Sequence, residues 1–153
     1  MQKLHYFKDF IEKEESSVGK NLYVMILAIE AYYEFAAEVL IPNSSRSMTQ
    51  FKLLEELRAL KIVNETEFVI MNETRKLKND LTHRLDYAVS LTYVYDFCNN
   101  CQVKDKTVPE DKNDQHALDA ALLDALLKSY KTIDVKLYSK VRKELEKVHG
   151  AKA

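Results

Sequence analysis

The sequence predicts an all-α fold, a bundle of five to seven helices in a single domain that spans residues 1–153. Only two glycines and two prolines occur in 153 residues, so the chain lacks the turn residues that many short strands would need. Apolar residues recur at steps of three and four, and no strand-like alternation of useful length occurs. A chain of this length can bury one core without disulfides or a structural metal.

The first predicted helix covers residues 1–14 and is amphipathic. Its apolar positions follow helical spacing: Leu4, Phe7, Phe10 and Ile11. Residues 14–19 interrupt the pattern. The second helix is expected over about Val18–Ile41, because Pro42 disfavours helical geometry in the residue before it.

This second helix is the most apolar part of the chain, and two interpretations were weighed for it. A transmembrane span is disfavoured, since Glu30, Glu34 and Glu38 would place three carboxylates on one stripe in lipid. A central core helix with a polar edge fits better. The stripe either faces cations of another helix or is solvated, and solvation is the favoured alternative.

Capping signals place the middle helices. Ser47 with Gln50 has the form of a capping box and predicts a helix over about residues 48–60. Asn64 and Glu67 repeat the pattern and open a long helix, which either continues or kinks towards Phe97.

The C-terminal third is predicted as a loop followed by helices. Residues 99–114 lack periodicity and read as a mobile surface loop, which leaves a core domain of about residues 18–98. Helical spacing resumes at Asp114 and runs to about residue 149. We expect two helices here, which meet near residues 129–132 and end at Gly150.

Charge and cysteine content restrict the function classes. Lys plus Arg number 23 against 24 for Asp plus Glu, so no overall field favours nucleic acid or an anionic membrane. Charges every few residues at the N-terminus exclude a signal peptide. With two cysteines and no export signal, we expect a cytoplasmic protein without membrane association.

The candidate functional segment is Arg75 to Arg84, RKLKNDLTHR. Opposite the apolar Leu81, one helix face gathers polar side chains: Asn72, Arg75, Lys76, Asn79 and His83. Arg and Lys can hold a phosphate, and a histidine near neutrality can exchange a proton with a ribose hydroxyl. Arg75, Lys76 and Arg84 are the candidate RNA or phosphate contacts. The alternative is an ordinary solvated helix face.

The segment FKLLEELRALKIVNETEFVIMNETRKLKNDLTH resembles the HEPN superfamily, and within it the mannitol operon repressor-like relatives. The resemblance covers about residues 20–100. Lys78, Asn79 and His83 match an RNxxxH motif with lysine in the arginine position. The resemblance implies a symmetric dimer that cuts RNA without metal, with His83 as acid and base and Asn79 positioning the substrate or the histidine. Lys78 would replace the arginine, although an ammonium cannot make the planar two-pronged phosphate contact of a guanidinium.

Helix geometry adds a second departure from the motif. On a continuous helix Lys78 lies about 140° from His83, whereas Arg75 lies on the side of the histidine. Either the helix breaks near the motif or Arg75 supplies the guanidinium.

These departures favour a non-catalytic or weakly catalytic HEPN-like regulatory or interaction protein, repressor-like or associated with defence or toxin–antitoxin systems. The rival is a metal-independent endoribonuclease that acts as a toxin or abortive-infection effector, and a third possibility is a plain helical subunit. We expect a homodimer, because the long helices offer more apolar surface than one small bundle covers. An RNA or protein partner is left open.

Two weaker signals have structural explanations. Cys98 and Cys101 form a CxxC, but a zinc site needs two further ligands and a redox motif needs a preceding strand. We expect buried or partly buried free thiols at a helix end, with no metal and no cofactor. Four tyrosines could stack on bases, but core or interface packing is favoured: Tyr32, Tyr33, Tyr93 and Tyr95.

Overall fold

A computed structural model describes residues 1–41, 48–83, 88–105 and 108–150, without the side chains of residues 83, 149 and 150. Six helices occupy these ranges: α1 (Gln2–Ser16), α2 (Leu22–Leu40), α3 (Gln50–Ala59), α4 (Glu65–His83), α5 (Leu91–Asn100) and α6 (Gln115–Gly150). No strand occurs in the ranges that the structure describes. The all-α prediction and the predicted number of helices are confirmed.

Helix α2 is the centre of the bundle, and it packs against α1, α3, α4 and α6. It is apolar on most sides, as a helix surrounded by others must be. Its buried apolar residues are Met25, Ile26, Ile29, Tyr32, Tyr33, Ala36, Ala37 and Leu40. Across the described part of the chain, no helix combines the length and apolar character that a membrane crossing requires. The interpretation of α2 as a core helix is therefore the correct one.

Helix α6 is one unbroken helix, so the prediction of two helices meeting near residues 129–132 is wrong. The hydroxyl of Ser129 donates to the carbonyl of Leu126 at 2.8 Å, and that of Thr132 donates to the carbonyl of Lys128 at 2.9 Å. These polar side chains are satisfied within the helix itself and do not interrupt it.

The capping predictions have mixed outcomes. At α4 the box is complete: the Asn64 N–H donates to Glu67 Oε1 at 2.9 Å, and the Glu67 N–H donates to Asn64 Oδ1 at 2.8 Å. At α3 the N-cap is Thr49, whose Oγ1 accepts from the Lys52 N–H at 3.2 Å. Ser47, the predicted cap, lies outside the described residues.

Helices α4 and α5 are separate, because α5 has its own N-cap. The Ser90 Oγ accepts from the Tyr93 N–H at 3.1 Å. The loop after α5 begins at Cys101 rather than at residue 99, and its first turn is not a surface loop, since Cys101 and Val103 are buried.

Helix α1 is attached to α6 through a lysine. Lys8 Nζ donates to the Tyr130 hydroxyl at 2.9 Å and pairs with the buried carboxylate of Asp134. The same ammonium lies 5.2 Å from the Tyr130 ring centroid and 5.4 Å from that of Tyr138. Burial lowers the pKa of Lys8, and the neighbouring Glu12 partly opposes this shift.

Candidate functional site on helix α4

Helix α4 is continuous from Glu65 to His83, so the proposed helix break near the motif is wrong. Positions 78 and 83 therefore differ by about 140° around the helix axis. His83 is the last residue of α4, and its side chain lies outside the described residues, as does all of Arg84. The described part of the candidate site consists of Arg75, Lys76, Lys78 and Asn79.

Lys76 occupies the solvent side of α4. Half of its side chain is exposed, and its ammonium lies 3.6 Å from a carboxylate oxygen of Glu73, one turn earlier. Exposed pairs of this kind contribute little to stability. Lys76 is therefore a solvated cation with a weak local partner, and Asn79 beside it is half-buried.

Arg75 makes contacts within the chain. Its Nε donates to Asn72 Oδ1 at 3.0 Å, and its guanidinium carbon lies 5.1 Å from the ring centroid of Phe51 on α3. A guanidinium near an aromatic ring gains a cation–π attraction and loses rotational freedom. These contacts hold Arg75 at the junction of α3 and α4.

The partner helix α2 presents a buried carboxyl group to this junction. Glu30 is 1% exposed, and its Oε1 accepts from Gln50 Nε2 on α3 at 3.1 Å. Its Oε2 and the Oε1 of Gln50 are both buried and have no hydrogen-bond partner among the described residues. Two helices thus meet through one amide–carboxyl hydrogen bond.

The electrostatics of this junction favour a proton on Glu30. Burial raises the pKa of Glu30 to about 8, and Glu34 adds to the increase. Lys78 and Arg75 lower the pKa from across the interface, and the hydrogen bond from Gln50 lowers it slightly. Desolvation is the largest effect, so the carboxyl group is mostly neutral at pH 7.

The stripe of glutamates on α2 is therefore only partly solvated. Glu34 and Glu38 are exposed as predicted, but the favoured interpretation is wrong for Glu30. Residues four apart on a helix rotate by about 40° per step. This drift carries the stripe from the buried interface with α3 and α4 out to solvent.

Lys78 acts on the same buried carboxyl group of Glu30. Its charge is the strongest of those that lower the pKa of Glu30. The motif lysine therefore acts electrostatically on the interior carboxyl of α2, and its helix position is about 140° from position 83. The sequence does not indicate that Gln50 contacts Glu30 or that Phe51 contacts Arg75. Gln50 fits a capping box in the sequence, and α3 carries no motif of its own.

The remaining sequence candidates are structural. Cys98 and Cys101 are buried free thiols at the end of α5, as predicted. Burial raises the pKa of Cys101 to about 12, with Glu73 and Cys98 adding to it, so the thiolate needed for metal binding or nucleophilic attack is disfavoured. No group of three metal-ligating side chains forms within the described ranges.

The tyrosines are core residues rather than a stacking surface. Tyr32 and Tyr33 are fully buried, and their rings lie 6.1 Å and 6.4 Å from that of Tyr130. Tyr93 and Tyr95 are half-buried, and the Tyr93 hydroxyl donates to Asp80 at 3.4 Å. Packing thus explains this set, as favoured from the sequence.

An apolar row on α2 lies beside the last turn of α4. Tyr23, Val24 and Leu27 are 43%, 37% and 41% exposed, although they belong to the most apolar helix. The Tyr23 hydroxyl donates to the carbonyl of Leu81 at 2.9 Å, which joins the row to α4. Exposed apolar side chains grouped in this way are typical of interaction surfaces.

Comparison with known proteins adds no family to these observations: no family model matches the chain, and no curated protein or solved structure matches it significantly.

Proposed function

We propose that this protein is a HEPN-like regulatory or interaction protein, repressor-like or associated with defence or toxin–antitoxin systems, that acts as a homodimer and does not depend on RNA cleavage. The observation that carries the proposal is that Asn72 and Phe51 contact Arg75, and that Arg75 and Lys78 both lower the pKa of the buried Glu30. The two buried free thiols fit a reducing, cytoplasmic setting.

Metal-independent cleavage of RNA needs a cation on the phosphate and a proton-transfer group within reach of the same ribose. Lys78 lowers the pKa of Glu30, and its helix position is about 140° from that of His83. Arg75 is closer to the side of the histidine, but Asn72 and Phe51 hold it. Arg75 and Lys78 thus act on groups inside the bundle, and Lys76 has a weak partner at the surface, which argues against a joint phosphate site.

The spacing on the exposed face of α2 supports dimerisation through a second copy of the chain. Val24, Leu27, Ala31 and Glu34 follow steps of three, four and three on α2, and Lys20 lies in the segment just before the Asn21 N-cap. This is the spacing with which two helices pack along a shared seam. In an antiparallel pair with a two-fold axis at Leu27, the segment that contains Lys20 comes near the partner's Glu34, so the ends of the seam carry complementary charges.

The solution mass tests this surface. We expect wild type to be a dimer and Leu27→Glu to be a monomer with an unchanged helical circular dichroism spectrum. Val135→Glu is the matched control, because Val135 is 77% exposed on α6, away from the row. A charge-exchange set sharpens the test: Lys20→Glu and Glu34→Lys each weaken the dimer, and the double variant restores it. A wild-type monomer, or a dimer unaffected by Leu27→Glu, contradicts the proposed surface.

The rival function is a metal-independent endoribonuclease, and one observation favours it: Lys76 and Asn79 share the outer side of α4 with position 83. Incubation of the pure protein with RNA in chelator separates the two functions. We expect no cleavage by wild type. Cleavage that disappears in His83→Ala, and persists in Lys61→Ala as the control for a general loss of charge, would establish the endoribonuclease instead.

The same RNA preparation distinguishes an RNA partner from a protein partner. If the protein binds RNA without cleaving it, and Lys76→Ala weakens this binding, the partner is RNA. We expect the dimer surface and the RNA affinity to be independent, because Leu27 and Lys76 lie on different helices with different exposed faces.

A further inference from the structure

The contact between α2 and α3 contains an unbalanced pair of polar groups. Glu30 Oε1 accepts the hydrogen bond from Gln50 Nε2. The second oxygen of the carboxyl group and the oxygen of the amide are both buried without a hydrogen-bond partner among the described residues. Buried polar atoms without partners cost free energy, so such a pair needs an explanation.

A single proton on Glu30 would give both of these oxygens a hydrogen-bond partner. A carboxylic acid and a primary amide form a cyclic pair, in which the amide N–H donates to one carboxyl oxygen and the acid O–H donates to the amide oxygen. The first of these hydrogen bonds is present at 3.1 Å. The second would join the two atoms that lack partners, Glu30 Oε2 and Gln50 Oε1.

We propose that Glu30 and Gln50 form a proton-dependent latch between α2 and α3, closed by two hydrogen bonds when Glu30 is protonated and opened when it ionises. In the ionised form, Glu30 Oε2 and Gln50 Oε1 are both acceptors, and no proton lies between them. Only the hydrogen bond from Gln50 Nε2 to Glu30 Oε1 then remains. The raised pKa of about 8 agrees with this latch and places its opening just above neutral pH.

The groups around Glu30 act in both directions. On α2, Glu34 favours the closed, neutral form. On α3, the Gln50 N–H favours the ionised form, whereas the Gln50 Oε1 can accept a hydrogen bond only from the protonated acid. On α4, Lys78 and Arg75 favour the ionised form. When Glu30 ionises, its negative charge attracts these two cations. When Glu30 is protonated, it no longer compensates their positive charge. The protonation state of Glu30 thus changes the electrostatic environment of Lys78 and Arg75 on α4.

Nuclear magnetic resonance of the full chain tests the latch directly. With ¹³C-labelled glutamate, we expect one side-chain carboxyl resonance to titrate between about pH 7 and pH 9, and to be missing in Glu30→Gln. The side-chain amide protons of Gln50 should shift over the same range in wild type and stay constant in Glu30→Gln. Glu34→Gln is the matched control, because Glu34 is exposed on the same helix.

Two results would overturn the latch. If the Glu30 resonance titrates near pH 4 to 5 with the other glutamates, the acid form does not exist at neutral pH. If it titrates near pH 8 while the Gln50 amide protons do not respond, burial alone raises the pKa and no second hydrogen bond forms. A failure of the latch is distinguishable from a failure of the proposed function, because neither result changes the solution mass or the outcome of the RNA cleavage assay.

Discussion

Two buried carboxyl groups in this bundle are stabilised in different ways, and the contrast explains most of the candidate site. Asp134, on α6, pairs directly with the Lys8 ammonium of α1. Glu30, on α2, receives an amide hydrogen bond from α3, and among the described residues no cation pairs directly with it. A direct ion pair keeps a buried carboxylate charged, whereas burial with a neutral partner favours the protonated acid. The distant Lys78 and Arg75 oppose this burial effect without reversing it.

The largest expected effect breaks the ion pair. Lys8→Met leaves Asp134 buried without its cation and is expected to destabilise the fold by about 3 kcal/mol. Unfolding in urea, monitored by circular dichroism, measures the change. Adding Asp134→Asn should recover most of the loss, because no uncompensated charge then remains.

Lys13→Met is the matched control for this substitution, since Lys13 is an exposed lysine on the same helix. It should change stability by less than about 0.5 kcal/mol. If the control costs as much as Lys8→Met, helix propensity rather than the ion pair anchors α1.

The second prediction removes the neutral partner of Glu30. Gln50→Leu deletes the amide and leaves a buried acid without its hydrogen bond, at an expected cost of about 1–2 kcal/mol at pH 6. The same urea experiment measures it, and Gln2→Leu, at an exposed glutamine in the first turn of α1, is the control. Equal stability of the two variants would mean that the amide–carboxyl contact contributes nothing.

The third prediction concerns pH. Because the folded-state pKa of Glu30 is raised from 4.5 to about 8, its protonation stabilises the fold fully below about pH 4.5. This contribution decreases as the pH rises and is lost once the pH passes about 8. Glu30→Gln lacks this titration and keeps an amide in place of the acid.

The stability of wild type relative to Glu30→Gln should therefore fall by about 1 kcal/mol per pH unit between about pH 5 and 8, then level off. Urea midpoints at each pH measure the difference, which cancels the titration of groups that both proteins share. A difference independent of pH would mean that Glu30 has an ordinary pKa.

The helices that the sequence predicts well are those whose signals are local. Helical spacing predicts α1 and α2, and the capping box of α4 is correct because Asn64 and Glu67 are three residues apart and complete each other. The same local reasoning is wrong for α6, where it predicts two helices that meet near residues 129–132 instead of one continuous helix. The Ser129 hydroxyl donates to the carbonyl of Leu126 in the same helix. The spacing of polar residues does not indicate this hydrogen bond.

The candidate site was less predictable because its contacts join distant parts of the chain. Glu30 meets Gln50 across 20 residues, and Lys8 meets Asp134 across 126 residues. Helical geometry correctly predicts that positions 78 and 83 lie on different sides of α4. The sequence does not predict that Lys78 acts on Glu30, since the burial of Glu30 depends on how α2, α3 and α4 pack.

The smallest expected effect compares Lys78 with Lys8 by the same chemical change. Lys78→Met removes a cation that acts on Glu30 without a direct ion pair, so stability at pH 6, where Glu30 is neutral, should change by less than about 0.5 kcal/mol. The pKa of Glu30 should rise above its wild-type value, because Lys78 lowers it. The ¹³C titration measures this shift, and Lys76→Met, which replaces an exposed lysine two residues earlier, should leave it unchanged. A loss as large as that of Lys8→Met would instead mean that Glu30 is ionised and paired with Lys78, which would make Glu30 and Asp134 alike.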